Sequence, residues 1–439
     1  MRRIRLPRRL SSLVVVLCLA IVAHAQTTNP IETARQLAST ANDNATTLPE
    51  RQDALQKLQE AARLFVSAGE RIEAARVLNR AGRLQLILSS PQDSINAHNH
   101  ALSLLKGTTA VEVEVDNLNG LANAYMSTPD MSAAKPSLDR AIWLSDESGY
   151  TRGKAQALLT RSNLQNRDNH VVALKTAQES LALWITVGDK PAIARNYEQL
   201  GDYYLAQNIL AEAGQSYEQA LQIWRDLNDA SGQASVLLNL GFIYLRRAEW
   251  QSSLSQFSQA QALIDEKAEP QKMGQLSCGM AELYNEHGMP EQGLIYYEQA
   301  LNYFRQSNHY LSIWYATWGL GWTLYLQQKY PEALDKFQQS LTFLKKDNLS
   351  QAMTREHMGR VYLETGDYPA ALASLQFALD IYTRAGNSME IARAQALVGS
   401  VLERQGQLAG ARRNYSQALE IAERVSAYRL IPDCVCAQS

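Results

Sequence analysis

YEQLGDYYLAQNILAEAGQSYEQALQIW, residues 197 to 224, is the stretch that decides the fold. Tyr197, Leu200, Gly201 and Tyr204 follow the three-four spacing of one buried helical face. Past a hinge at Asn208, Ala213, Tyr217 and Ala220 repeat that spacing on a second helix. Large residues on one helix face small ones on the other, which lets two helices cross closely and interdigitate. A single pair of this size cannot bury its own apolar stripe, so it requires copies stacked on both sides.

Three columns in phase with this stretch supply the copies. In register with Ala220 stand Ala61, Ala101, Ala141, Ser180, Ala260, Ala300, Ser340, Ala378 and Ala418, in steps of 38 to 40 residues. Seven residues upstream run Ala54, Ser94, Ala134, Ala173, Ala213, Ser253, Gly293, Ala333, Ala371 and Ala411. The close-contact position of the first helices reads Gly82, Ala122, Arg161, Gly201, Gly241, Ala281, Gly321, Gly359 and Gly399, with Arg161 the one misfit. Gly69, Gly149, Gly188, Asn228, Asn308, Asn348 and Gly386 follow second helices, and both residue types tolerate the left-handed backbone that closes a helix. Gly288, Gly366 and Gly406 mark the hinges within pairs, and Pro129, Pro290, Pro331 and Pro369 fall at or just after hinges, where proline suits a helix start. The pattern predicts an all-α chain: a right-handed α-α superhelical solenoid of about ten helix pairs over residues 26–427, its first pair degenerate.

The order Leu200-Gly201, Tyr204, Ala213, Tyr217, Ala220 resembles the tetratricopeptide repeat. The period is close to 40 residues where the family's usual one is 34. Such extended units resemble those of kinesin light chains and of arrays preceding CHAT peptidase-like domains. The phrase ALWITVGDKPAIARNYEQLGDYY, residues 182–204, is most similar to the CHAT-associated bacterial arrays, although no CHAT domain follows in these residues. The resemblance implies a helical solenoid that binds a protein or peptide partner along the concave face lined by its first helices.

Residues 1–25 read as a signal peptide: Arg2, Arg3, Arg5, Arg8 and Arg9, then an apolar run from Leu13 to Val22, then Ala23-His24-Ala25. About ten apolar residues are too few to span a bilayer. Cleavage is expected between Ala25 and Gln26, giving a periplasmic or secreted protein with no membrane span. Removing the five arginines takes the formal net charge from −2 to −7, which argues against a nucleic-acid partner. Cys278, Cys434 and Cys436 remain, an odd count that implies no disulfide framework and reads as incidental thiols. Residues 428–439 form a short tail, brief for the polar cap a solenoid end requires.

No residues point to catalysis. The histidines form no HExxH pair, and His98 and His100 are two apart, so they point to different sides of a helix and read as surface side chains. There is no GxSxG elbow and no P-loop, and neither a metal nor another cofactor is implied. Two candidate binding patches follow from the repeat geometry. In the second and third units Arg76, Asn79 and Arg83, then Asp116, Asn119 and Asn123, flank the core stripe; asparagine amides suit a peptide backbone and arginines a carboxylate. In the eighth unit the core stripe is Thr317, Leu320, Gly321 and Leu324, and Tyr315, Trp318, Trp322 and Tyr325 lie off it, with Trp314 one turn before Trp318. Leu238, Phe242 and Leu245 flank them, with Cys278, Glu282 and Asn285 between. These rings are either interface anchors or packing between neighbouring units. Two functions compete: an exported, non-catalytic adaptor, and the regulatory array of a CHAT-type peptidase system whose catalytic domain is missing or separately encoded.

Overall fold

The computed structural model describes residues 29–424 apart from 44, 46, 167, 168, 308 and 345–348. Residues 1–25, read above as a signal peptide, the tail, Cys434, Cys436, Asn308 and Asn348 therefore lie outside the described residues. Among those described, twenty α-helices and one 3-10 turn follow one another and no residue is in a strand. The chain divides into two compact units, residues 1–223 and 224–439.

The first unit opens with α1 (Pro30–Thr40) and α2 (Leu48–Ser67), then α3 (Arg71–Ile87) and α4 (Pro91–Leu105). It continues with α5 (Val111–Met126), α6 (Ala134–Ser148), α7 (Thr151–Gln165), α8 (His170–Val187) and α9 (Lys190–Ala206). Helix α10 (Leu210–Asp226) spans the division. The second unit holds α11 (Ala230–Arg246), α12 (Trp250–Leu263), α13 (Pro270–Glu286), α14 (Pro290–Ser307) and α15 (Tyr310–Leu326). It ends with α16 (Tyr330–Leu341), α17 (Leu349–Thr365), α18 (Tyr368–Ala385), α19 (Ser388–Arg404) and α20 (Leu408–Arg424). These are ten pairs, with odd helices first and even helices second.

Local chemistry sets the ends. Gly69, Gly149, Gly188, Asn228 and Gly386 take positive φ after second helices, and Asn208, Gly288, Gly366 and Gly406 do so within pairs. Asp189, Asp229 and Asp367 cap the helices that follow them, accepting from the backbone N–H of Ala192, Gly232 and Ala370.

The pairs close by one large-against-small contact. A Cβ on Gly201 would sit 2.7 Å from the Tyr217 ring, and one on Gly241 would sit 2.4 Å from Phe257. Gly321 meets Phe337 and Gly399 meets Tyr415 in the same register of sixteen residues. Tyr217, Phe257, Tyr297 and Phe337 are fully buried, each side chain worth about 1.5–3 kcal/mol of apolar burial. Arg161, the misfit in the glycine column, stands in that register with Ala177, so the large and small partners are exchanged, and its guanidinium pairs with Asp139 of α6.

Two sequence expectations are corrected here. His98 is not a surface side chain: it fills the large-residue column, wedged between Gly82 and Gly120, and is fully buried. Its Nδ1 donates to Asn117 Oδ1 at 3.2 Å, because the Asn117 amide nitrogen already donates to the carbonyls of Ala75 and Val113. Burial disfavours the charged ring and lowers its pKa. Within residues 197–224, Tyr203 is the fully buried ring of the first helix, bonded to Ser162 and Asn163 of α7, while Tyr204 is half-buried. First helices pack on the preceding first helix as well as on their own partner, so their buried face is wider than one stripe.

The last pairs of the second unit carry a buried ion cluster that the sequence did not announce. Glu356 of α17 has no exposed surface. Its carboxylate accepts from Arg393 Nε at 2.8 Å and Nη2 at 3.0 Å, from Arg360 at 3.3 Å, and from the Tyr382 hydroxyl at 3.1 Å.

Candidate functional site

Helices α11, α13 and α15 are successive first helices, and their side chains meet on one side of the second unit. In α15, Thr317, Leu320, Gly321 and Leu324 are buried, as the stripe requires. Tyr315, Trp318 and Trp322 are each displaced by one or two residues from that stripe, a rotation of about 100° per residue, so they emerge beside it and are half-buried. Together with Leu245, Arg246 and Ala248, with Glu282, Asn285 and Glu286 of α13, and with Tyr297 of α14, they line a cavity of about 360 Å³. A second, smaller cavity of about 200 Å³ shares the wall formed by Leu245, Ala248 and Glu286 and extends to Trp250, Leu283 and His287.

The walls are held stiffly. The rings of Tyr315 and Trp318 stack at 5.6 Å, and those of Trp322 and Tyr325 at 5.0 Å. His357 supports both tryptophans edge-on at 4.9 and 5.0 Å. Its Nδ1 donates to the Met353 carbonyl, and burial holds its pKa down to about 4, so the supporting ring is neutral.

The polar groups are less completely matched. Glu282 accepts a hydrogen bond from the Tyr315 hydroxyl. Burial raises its pKa to about 7, against the smaller lowering effects of Tyr315 and Arg246. The Tyr297 hydroxyl, in a residue with no exposed surface, has no hydrogen-bond partner among the described residues, and neither does Trp318 Nε1. An unmatched buried hydroxyl costs on the order of 1–3 kcal/mol, so the wall carries polar groups whose hydrogen bonding is incomplete.

Not every candidate reaches this place. Leu238 is buried in the core, and Phe242 packs edge-on against Phe257 at 5.4 Å; neither lines the cavity. Tyr325 braces Trp322 from outside and contacts Tyr330. Trp314 does not share the face of Trp318: it is buried, with Nε1 donating to Thr354 Oγ1 of α17 at 3.1 Å. Cys278 is buried in the core, where burial pushes its thiol pKa up. Asn285 does line the cavity, but its amide nitrogen donates to Thr323 Oγ1 of α15.

The polar patch of the first unit is differently spent. Asn79 donates to the Asp116 carbonyl at 2.9 Å and buried Asn119 donates to the Gly153 carbonyl at 2.9 Å. Asn123 accepts from Thr160 Oγ1 at 2.8 Å. Each amide joins one first helix to the next, about one period downstream, so these asparagines tie repeats together. Arg76 and Arg83 are exposed, and Asp116 accepts from the Tyr150 hydroxyl.

An array of helix pairs closed by glycine-aromatic contacts, with side chains converging where successive first helices meet, defines an α-solenoid of the repeat class. The tetratricopeptide-repeat family profile matches residues 162–226, 272–346 and 350–424, and the chain is a tetratricopeptide-repeat protein. No curated protein matches the sequence. Among solved structures, a Rap protein complexed with competence and sporulation factor is similar with a TM-score of 0.62 at 11% identity, over 81% of this chain and 99% of that one. The apo quorum sensor NprR from B. thuringiensis is similar with a TM-score of 0.59 at 14% identity, over 80% and 99%. Aspartyl phosphate phosphatase F from Bacillus subtilis gives 0.53 at 14% identity, over 80% and 93%. At such identities the likeness is one of fold.

Proposed function

We propose that the protein is a non-catalytic interaction scaffold that receives a peptide, or an extended segment of a partner protein, against the first helices of its second unit. The observation that carries this is the cavity of Tyr315, Trp318 and Trp322, where large rings stand half-exposed beside unmatched polar groups. Aromatic side chains with a polar tip in a partly desolvated pocket are the usual anchors of an interface. The adjoining smaller cavity offers a second side-chain position along the same segment. The Rap structure with its bound factor is a precedent in the same fold, and not a source of residue roles. The arginine-rich, apolar opening of residues 1–25 supports export, with action in the periplasm or outside the cell. Selection of a random peptide display library against the protein, followed by amide-exchange footprinting of the selected peptides, tests the proposal. Protection over 245–248, 282–286 and 315–322 supports it; no enrichment, or protection confined to the second helices, contradicts it.

A further inference from the structure

Resting on the scaffold reading, we infer that the larger cavity takes a basic side chain of the partner, an arginine above all, laid against Trp318 and received by Glu282. The walls are aromatic on one side and acidic on the other. Trp318, Trp322 and Tyr315 line one side, and aromatic rings attract a cation through their quadrupoles. Glu282 and Glu286 reach the cavity from α13. Arg246 is the one cation in the lining; it is exposed at the mouth, where water and salt screen it, and the two carboxylates outnumber it.

The hydrogen-bonding inventory points the same way. A guanidinium carries five N–H donors and no acceptor. The acceptors in the lining are the Glu282 oxygen not engaged by Tyr315 and the Glu286 carboxylate, beside the Tyr297 O–H and Trp318 N–H, which have no partner among the described residues. Planarity lets a guanidinium stack on an indole while bonding at its edge, which an ammonium cannot do equally well. Glu282, held near half-protonation at neutral pH by burial, becomes fully ionised when a cation arrives, so binding releases a proton and strengthens as pH rises through about 7. The charged and titratable groups facing it are Arg246 from α11, Cys278 and Glu286 from α13, Tyr297 from α14 and Tyr315 from α15. Burial moves Cys278, Tyr297 and Tyr315 upward, away from neutrality, so the pH dependence is assigned to Glu282.

The probes are blocked tripeptides, acetyl-alanyl-arginyl-alanine amide and its citrulline counterpart, which has the same shape and no charge. Tryptophan fluorescence and ligand-observed NMR read their binding to the full chain. The arginine peptide is expected to bind at least roughly tenfold more tightly than the citrulline peptide, the size of one charge-assisted contact. Glu282→Gln, which keeps the bond from Tyr315, is expected to erase that difference without lowering the melting temperature. Charge reversal at exposed Glu286 (Glu286→Arg) is expected to weaken the arginine peptide selectively. Equal binding of the two peptides, no binding of either, or an undiminished preference in Glu282→Gln overturns the inference. Tight binding of a citrulline tripeptide with a free N-terminus overturns the assignment to a side chain. If display-selected peptides protect this face yet tolerate citrulline for arginine, the cation assignment fails and the scaffold stands; if nothing protects the face, the scaffold itself fails.

Discussion

Replacing Glu356 by glutamine keeps the side chain's shape and removes one charge from the buried cluster of α17, α18 and α19. The cost follows from the surroundings. Burial alone would raise the Glu356 pKa, but the bidentate Arg393, aided by Arg360, more than reverses this and holds it at about 2 against an ordinary 4.5. That lowering corresponds to about 3 kcal/mol of folded-state stabilisation of the carboxylate. Breaking a buried pair costs roughly 3–5 kcal/mol, and because Arg393 keeps Glu390 as a second carboxylate partner the loss falls at the lower end. The lowered pKa fixes the sign: the contribution is present above about pH 4.5 and is lost as pH falls toward 2. Urea denaturation near neutral pH should show Glu356→Gln less stable by about 3 kcal/mol, with the deficit shrinking in acid. Amide exchange should place the loss in residues 349–404. A deficit under about 1 kcal/mol, or one that does not change with pH, would refute the reasoning.

Glu282→Gln should behave in the opposite way: the raised wild-type pKa means stability present below about 4.5 is lost as pH rises through about 7, so the variant should be more stable than wild type above neutrality by about 1–3 kcal/mol in thermal melts. A variant that is no more stable than wild type at alkaline pH would count against the buried carboxyl. Gly241→Ala should cost about 1–3 kcal/mol because its Cβ would overlap the Phe257 ring, and adding Phe257→Leu should recover part of that in a double-mutant cycle. Additive losses would mean the two residues do not touch. Asn119→Ala should cost about 1–2 kcal/mol through the lost bond to Gly153 and leave peptide binding unchanged; lost binding at constant stability would reverse its assignment.

The repeat, the helix ends and the close contacts were legible because they rest on local rules. Small residues recur with the period, and Gly201, Gly241 and Gly321 mark where an aromatic ring of the second helix must enter. Legibility failed where a side chain's partner lies a whole period away. Asn79, Asn119 and Asn123 looked free because Asp116, Gly153 and Thr160 stand 34 to 37 residues downstream. Reading polar residues at that offset, as Asn285 with Thr323 also shows, would have found the ties between repeats. His98 was misjudged because polarity was weighed and its place in the large-residue column was not. At the candidate site, Tyr315, Trp318 and Trp322 were placed together with Glu282 and Asn285, and the cavity joins them. Helical spacing gave no sign that Trp314 turns away, since the helix beyond it, α17, offers Thr354 as a partner. Tyr297 and His357 were missed: one comes from the second helix of a pair, the other from the following first helix.

A crystal structure of the protein with a display-selected, arginine-containing peptide tests the central claim most directly. The account predicts the peptide along α11, α13 and α15, with its guanidinium over Trp318 and bonded to Glu282. A peptide seated on the second helices, with the cavity of Tyr315, Trp318 and Trp322 left unfilled, would contradict it.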